Sequence, residues 1–426
     1  MLGILLVNIY QFGLWDQYVG FLSVLDHKKG INYGLYFMHG IFLEGKMRGL
    51  FTLLFGAGII LFTAKKEENK IPVADLYFRR MMWLLVFGLI DTYLLLWRGD
   101  VLYEYALCGM LLFVFRNLRA RYLILIGLLC LYLYSFKNAQ AFAKNKNNRE
   151  IYLSTQQLVQ QGKKLTNEQI TARKEWEETL TYFPPFNKAG KERFIKDAAE
   201  NYNTMHLGYA DMFEKFIPAT VESHSRGFYQ LFWETFGTII LGMGIFKTGM
   251  FSGRLKKRTY LLIALIGLGV GISLSYHVTV TRAKSMSEYF DYVDSRSFSI
   301  LYEAQLERIC ITLGYAALFM LFCSFNGFKF IKHALSCVGR TAISNYFLQT
   351  IICTLFFNSY GFGMWNKLQV YQLYIFVLIV WLFQITLSML WLNHFKMGPV
   401  EWLWRSLIYK KIMPNRKNSV LYPEAF

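Results

Sequence analysis

Glu44, Lys46 and Arg48 take alternate positions in FLEGKMRGLFTLLFGAGIILF, residues 42–62, where a membrane-type apolar run begins. An anchor at a membrane lip needs only uncharged Ser, Trp or Tyr. Ionisable groups inside apolar spans are costly, so they face a polar cavity or a partner. His39 precedes the trio, and Asp91, Arg98 and Asp100 follow in IDTYLLLWRGDVLYEYAL. Glu303, Glu307 and Arg308 open another run in LYEAQLERIC, with the two glutamates four apart on one helix face. Two arrangements satisfy such a set. One is a shared chamber, where a base and cations handle protons and developing charge. The other is a series of separate ion pairs that fix helix register. The sequence favours the chamber, with an irregular backbone before Met47, since on a helix the three charges would point apart.

A second polar group begins at GRTAISNYFLQTIIC, where Thr341, Asn345 and Gln349 recur every four residues on one helical stripe. Such side chains hydrogen-bond across helices or line a cavity. Arg340 tops the stripe. Beyond the last apolar run, GPVEWLWRSLIYKK supplies Glu401, Trp404 and Arg405, with Pro399 suited to begin a helix. This basic group suits an anionic ligand or anionic lipid headgroups.

The elements that carry these groups are apolar helices. The spacing predicts an all-α, polytopic membrane helix bundle of about ten spans with a long, partly helical extracytoplasmic loop. The spans fall near 1–15, 47–63, 80–97, 101–116, 121–136, 227–246, 259–278, 300–324, 335–357 and 370–392. The organisation is therefore 1–136 with five spans, 137–226 as a cap, 227–392 with five more, and 393–426 as an amphipathic tail. FPPF, residues 183–186, reads as a break within the cap. The opening LGILLVNI lacks a charged flank, so the true start is expected upstream.

Lys and Arg gather in the loops after the even spans and in the tail, so both termini are expected in the cytoplasm of a bacterial inner membrane. The net charge of +18 fits that bias. The basic residues form no single soluble face, which argues against nucleic acid. The lipid bilayer is the expected partner, and a homo-oligomer stays open. The six cysteines lie in or beside apolar runs without a C-x-x-C spacing, as small buried hydrophobes do. His206, His224 and Asp211 are not spaced as a metal set, so no metal is expected.

EGKMRGLFTLLFGAG, GDVLYEYALCG, GRTAISNYFLQT and GPVEWLWRSLIY together resemble the YeiB-like family, labelled domain of unknown function 418, in the family's order over residues 44–409. That family is distantly similar to transmembrane acyltransferases, including the heparan-glucosaminide acetyltransferases. These have a first helix ending in a like Val-Asn, here Val7 and Asn8, and a catalytic histidine before the second span. The nearest equivalent here is His39. Relatives often carry a histidine in the third span, where this chain reads Gly88-Leu89-Ile90-Asp91.

The resemblance implies transfer of an acetyl or other acyl group from cytoplasmic acyl-CoA, the co-substrate, to a carbohydrate-like acceptor in the envelope. His39 would be base or nucleophile, with Glu44 or Asp100 orienting it and Asp91 in reserve. Lys46, Arg48, Asn8, Glu303 and Glu307 would contact the acceptor or the oxyanion. Arg340, Asn345, Gln349, Glu401, Trp404 and Arg405 would take acyl-CoA. The alternative is a transporter of a small charged solute, because intramembrane charges serve transport equally well. No inverted repeat is visible between the halves, which favours the enzyme.

Overall fold

In the computed structural model, residues 1–15, 30–68, 73–182, 188–287 and 289–417 are described. They form seventeen α-helices and, among the described residues, no strand beyond one isolated bridge between Phe395 and Arg416. The first five are α1 Leu2–Gly13, α2 Ile31–Phe42, α3 Lys46–Glu68, α4 Val73–Leu89 and α5 Leu102–Leu112. A π-helical turn, Ile90–Leu94, follows α4. The cap region holds α6 Ala120–Gln160, α7 Asn167–Tyr182, α8 Lys188–Met205 and α9 Tyr209–Glu222. Then come α10 Phe228–Lys247, α11 Lys257–Ser287, α12 Tyr289–Ser295 and α13 Leu301–Ser324. The chain ends with α14 Lys329–Arg340, α15 Ala342–Phe357, α16 Val370–His394 and α17 Pro399–Tyr409.

Five helical stretches are long and apolar enough to cross a membrane: Ile31–Lys65, Ala120–Gln160, Lys257–Lys284, Leu301–Ser324 and Val370–His394. Leu2–Gly13, Leu102–Phe115 and Ala342–Phe357 are apolar but shorter. The chain is thus an all-α, multi-pass membrane protein. Its long helices keep apolar side chains on their outer faces, such as Leu125, Leu129, Leu265, Ile379 and Leu382, which are exposed to lipid. Without a hydrophobic drive between helices in lipid, close approach matters more. At the crossing of α3 and α10 the backbones touch. A Cβ on Gly56 would strike the Ile239 carbonyl, and one on Gly242 the backbone of Leu53.

Three boundaries differ from the sequence reading. The span placed at 47–63 begins in α2 and runs through a break to Lys65. The span placed at 335–357 divides at Thr341, whose backbone (φ −111°, ψ 35°) leaves the helix and whose hydroxyl bonds the Cys337 carbonyl instead. The segment from 137 is no loop at first: α6 continues unbroken to Gln160. FPPF lies outside the described residues.

The cap has its own small core. Trp176 of α7 is fully buried with Tyr289 and Val293 of α12. Arg149 of α6 grips Asp294 with two hydrogen bonds, at 2.6 and 2.7 Å, which hold that carboxyl below its ordinary range. On the other side, Met212 and Phe216 of α9 pack on Leu96, and Tyr209 donates to the Leu94 carbonyl at 2.8 Å.

Candidate functional site

The charged trio sits at a helix break. The amides of Leu43 and Glu44 both return to the His39 carbonyl at 2.9 Å, which ends α2. Gly45 then turns the chain with φ of +75°, and α3 starts at Lys46. A side chain on Gly45 would be strained, and its Cβ would stand 2.7 Å from Arg308 Nε. The break is also deep. Met47 packs on Gly3, and the adjoining Leu2 carbonyl accepts from Trp381 near the middle of α16. Of the trio, Lys46 is buried, Arg48 half-buried and Glu44 exposed.

Being on the first turn of a helix, Lys46 and Arg48 diverge. Lys46 turns to α13, pairing with Glu307 at 3.1 Å and donating to the Gly40 carbonyl at 2.6 Å. Both members of this pair are nearly sealed from solvent, at 2% and 5% exposure. Arg48 turns to Glu234 of α10 at 3.0 Å, and Arg308 pairs with the same glutamate. Glu44 reaches Arg282 of α11 at 3.5 Å and lies within electrostatic range of His39, Lys46 and Arg308.

His39 is buried on α2. Its Nδ1 meets the Tyr374 hydroxyl at 2.9 Å, and its ring stacks on Tyr10 with centroids 4.2 Å apart. Tyr10 and Tyr374 join each other at 3.0 Å, which fixes the imidazole from two sides. Asn8 is half-buried on α1. Glu303 parts from Glu307: it pairs with Arg296 at 2.7 Å and His277 at 3.2 Å.

Asp91 and Asp100 form a separate group. Asp100 accepts from the Tyr346 hydroxyl and from the Tyr103 amide, each at 2.9 Å. Asp91 is wholly buried beside Thr350. So His39, Glu44, Lys46 and Arg48 are gathered around one break, and Asp100 is not among them. Above the acids, towards the cap, lies a cavity of about 400 Å³. Trp15, Trp97 and Trp365 line it with Gln11, Arg98 and Asn358, and α8 and α9 cover it through Asn201, Met205 and Phe216. Arg98 lies over the Phe216 ring at 4.6 Å.

At the other end, the polar stripe joins two helices. Asn345 donates to Thr341 at 2.9 Å and to Ser388 of α16 at 3.0 Å. Gln349 donates to Gln384 at 2.9 Å, and Gln384 donates back to the Asn345 carbonyl at 2.9 Å. Glu401 accepts the Ile343 and Ser344 amides at 2.6 and 3.1 Å, so α17 completes the open N-terminus of α15. Arg340 donates to the Lys396 carbonyl at 2.6 Å. Trp404 donates to the Arg80 carbonyl at 3.2 Å and underlies the Arg80 guanidinium, while Arg405 is exposed. An apolar pocket of about 300 Å³ separates α15, α16 and α17 beside Ser344 and Ser388.

Sequence reasoning passed over Glu234, Arg282, Tyr374, Tyr10 and Arg80. Glu234 carried a signal, a lone acid in QLFWETFGTII, which had to balance some cation in the bundle. The tyrosines carried none, because Tyr is ordinary in apolar spans.

Residues 245–411 match the family described as "Protein of unknown function (DUF418)". The chain is 27% identical over 433 residues to the "Uncharacterized protein YxaH" of Bacillus subtilis (strain 168), covering 98% of this chain and 93% of that protein. It is 32% identical over 184 residues to the "Uncharacterized protein YeiB" of Escherichia coli (strain K12), covering 43% and 46%. A third relative, the "Uncharacterized 39.9 kDa protein in amylase 3'region" of Bacillus acidopullulyticus, is 24% identical over 97% of this chain and 92% of its own length. No solved structure matches.

Proposed function

The chain belongs to the YeiB-like DUF418 family, and on that premise we propose that it is a membrane-embedded acyltransferase moving an acyl group from acyl-CoA to a carbohydrate-like acceptor. The observation that carries this reading is His39, whose Nδ1 is engaged by Tyr374 while its ring is clamped on Tyr10, next to a charged helix break. A base held by a third group is the arrangement that nucleophile activation requires. In this reading Nε2 takes the acceptor proton as the acceptor oxygen or nitrogen bonds to the thioester carbon. The C–S bond then breaks, and the proton passes to the departing thiolate. Lys46, whose charge acts on His39, is the cation for the oxyanion in this reading.

The reading places the cap face outside a bacterial inner membrane, the acceptor beside His39, and both termini in the cytoplasm, with the shorter helices completing about ten spans. Acyl-CoA then approaches the α17 end, where Arg340 and Arg405 are exposed. Turnover of radiolabelled acyl-CoA in membranes tests it. His39→Ala should lower the rate by roughly 10²–10⁴-fold and leave acyl-CoA binding intact. Full activity in that variant removes His39 from the mechanism.

One observation favours transport as a second reading. The Ile31–Lys65 span is discontinuous at its charged centre, as substrate-binding helices of transporters are. A parent protein inert with every acyl donor, yet exchanging a small charged solute in liposomes, would establish that reading instead.

A further inference from the structure

Asp91 and Asp100 are two acids placed together with no base between them. Asp91 lies in the π-helical turn after α4, and Asp100 ends the loop before α5. Helix α15 offers Tyr346 and Thr350, one turn apart on one face, to the two carboxyls. Tyr346 donates to Asp100 Oδ1 at 2.9 Å, and Thr350 donates to Asp91 Oδ2 at 3.4 Å.

The two acids are served unequally. Each oxygen of Asp100 has a donor at 2.9 Å, the pattern of an ionised carboxylate. Asp91 has the one long contact, and its Oδ1 has no hydrogen-bond partner although the residue is 0% exposed. Among the described residues, no lysine or arginine forms an ion pair with either acid. The titratable groups around them are Tyr346 from α15, Tyr103 and Glu104 from α5, and His224, which stacks on Tyr103 with centroids 4.0 Å apart. Helix α4 is shaped to admit the pair. A Cβ on Gly88 would lie 2.8 Å from Asp100 Oδ2.

A lone buried charge is removed most cheaply by neutralising it. We propose that Asp91 and Asp100 are a proton-binding pair: Asp91 carries one proton in neutral solution, Asp100 stays ionised beside it, and the proton exchanges with the capped cavity. The cavity stops one residue layer short of the acids, at their neighbours. Thr354, one turn past Thr350, lines it, as do Gly99, the neighbour of Asp100, and Trp97, whose amide bonds the Asp91 carbonyl at 3.1 Å. The proton site stands apart from His39, so it neither needs nor excludes acyl transfer.

Infrared spectroscopy of the purified full chain in lipid bilayers reads this directly. At neutral pH the parent should show a protonated-carboxyl C=O band that shifts in heavy water. Asp91→Asn should lack it, and Asp91→Glu, which restores a carboxyl, should regain it. In Asp100→Asn the band should persist to a lower pH than in the parent before converting fully to that of the acid's carboxylate, not a higher one, since the neighbouring negative charge that favours the proton is gone. The proposal is overturned if the parent has no such band, as with two ionised acids around a metal cation, or if the band survives unchanged in Asp91→Asn.

Discussion

Lys46 and Glu307 show what one buried pair does for this fold. Their charges lie in the bundle with almost no solvent, so removing either leaves the other without compensation. Lys46→Met or Glu307→Gln should each cost about 3–5 kcal/mol, and the two together less than their sum. Thermal melts of the single and double variants in detergent measure this. Sequence alone identified both residues as costly intramembrane charges, along with Arg48 and Arg308. It did not identify Glu234 as the shared partner, because that pairing depends on where α10 crosses α3. The same limit applied to Glu401. On its own helix it reads as the partner of Arg405, four residues on, yet it satisfies the amides of α15. Glu401→Gln should weaken that contact by about 1.5–3 kcal/mol, the range for hydrogen bonds to a charged group, read as faster amide exchange at Ile343 and Ser344.

At the scale of elements, the turn at Leu43–Gly45 is the decisive local structure. Gly45→Ala faces both a positive φ and the Arg308 guanidinium. It should destabilise by roughly 1–3 kcal/mol, and a larger loss than Gly49→Ala in the same melt would locate the strain at the turn. Hydropathy did not reveal that α2 and α3 belong to one span, since the charges interrupt the apolar run at the turn where α2 ends and α3 begins. The reverse error arose at Thr341, where an apolar pattern continued through a backbone that does not. Helix type was legible throughout, because long apolar runs have few other solutions in lipid.

For the whole molecule, the sidedness of the chain is open to labelling. Single cysteines at Lys66, Lys257 and Lys411 should react from one side and one at Leu165 from the other. Reaction of positions 257 and 165 from the same side would overturn the proposed topology. The cap adds a pH dependence. Arg149 holds the Asp294 carboxyl below its ordinary value, so the contact stabilises above the usual carboxylate range and is lost as pH falls through the lowered one. The group is half exposed, so the effect is small. Lower amide protection factors in α12 at acid pH than at neutral pH, after correction for the intrinsic exchange rate, would reveal it.

Helix α6 runs through 41 residues without interruption. That is about 60 Å of rod, roughly twice the hydrocarbon thickness it crosses. Its far half holds α7 and α12 through Trp176, Arg149 and Lys146, while its near half is packed on α10. Such a rod is a lever whose fulcrum is the bilayer. A change in tilt of about five degrees, of the kind that hydrophobic mismatch produces, would swing its outer tip sideways by about 3 Å, parallel to the membrane plane. Lipid chain length and cap position are thereby mechanically geared to each other in this protein. Distance measurements between α7 and α9, across the outer face, in short-chain and long-chain lipids would give the gear ratio.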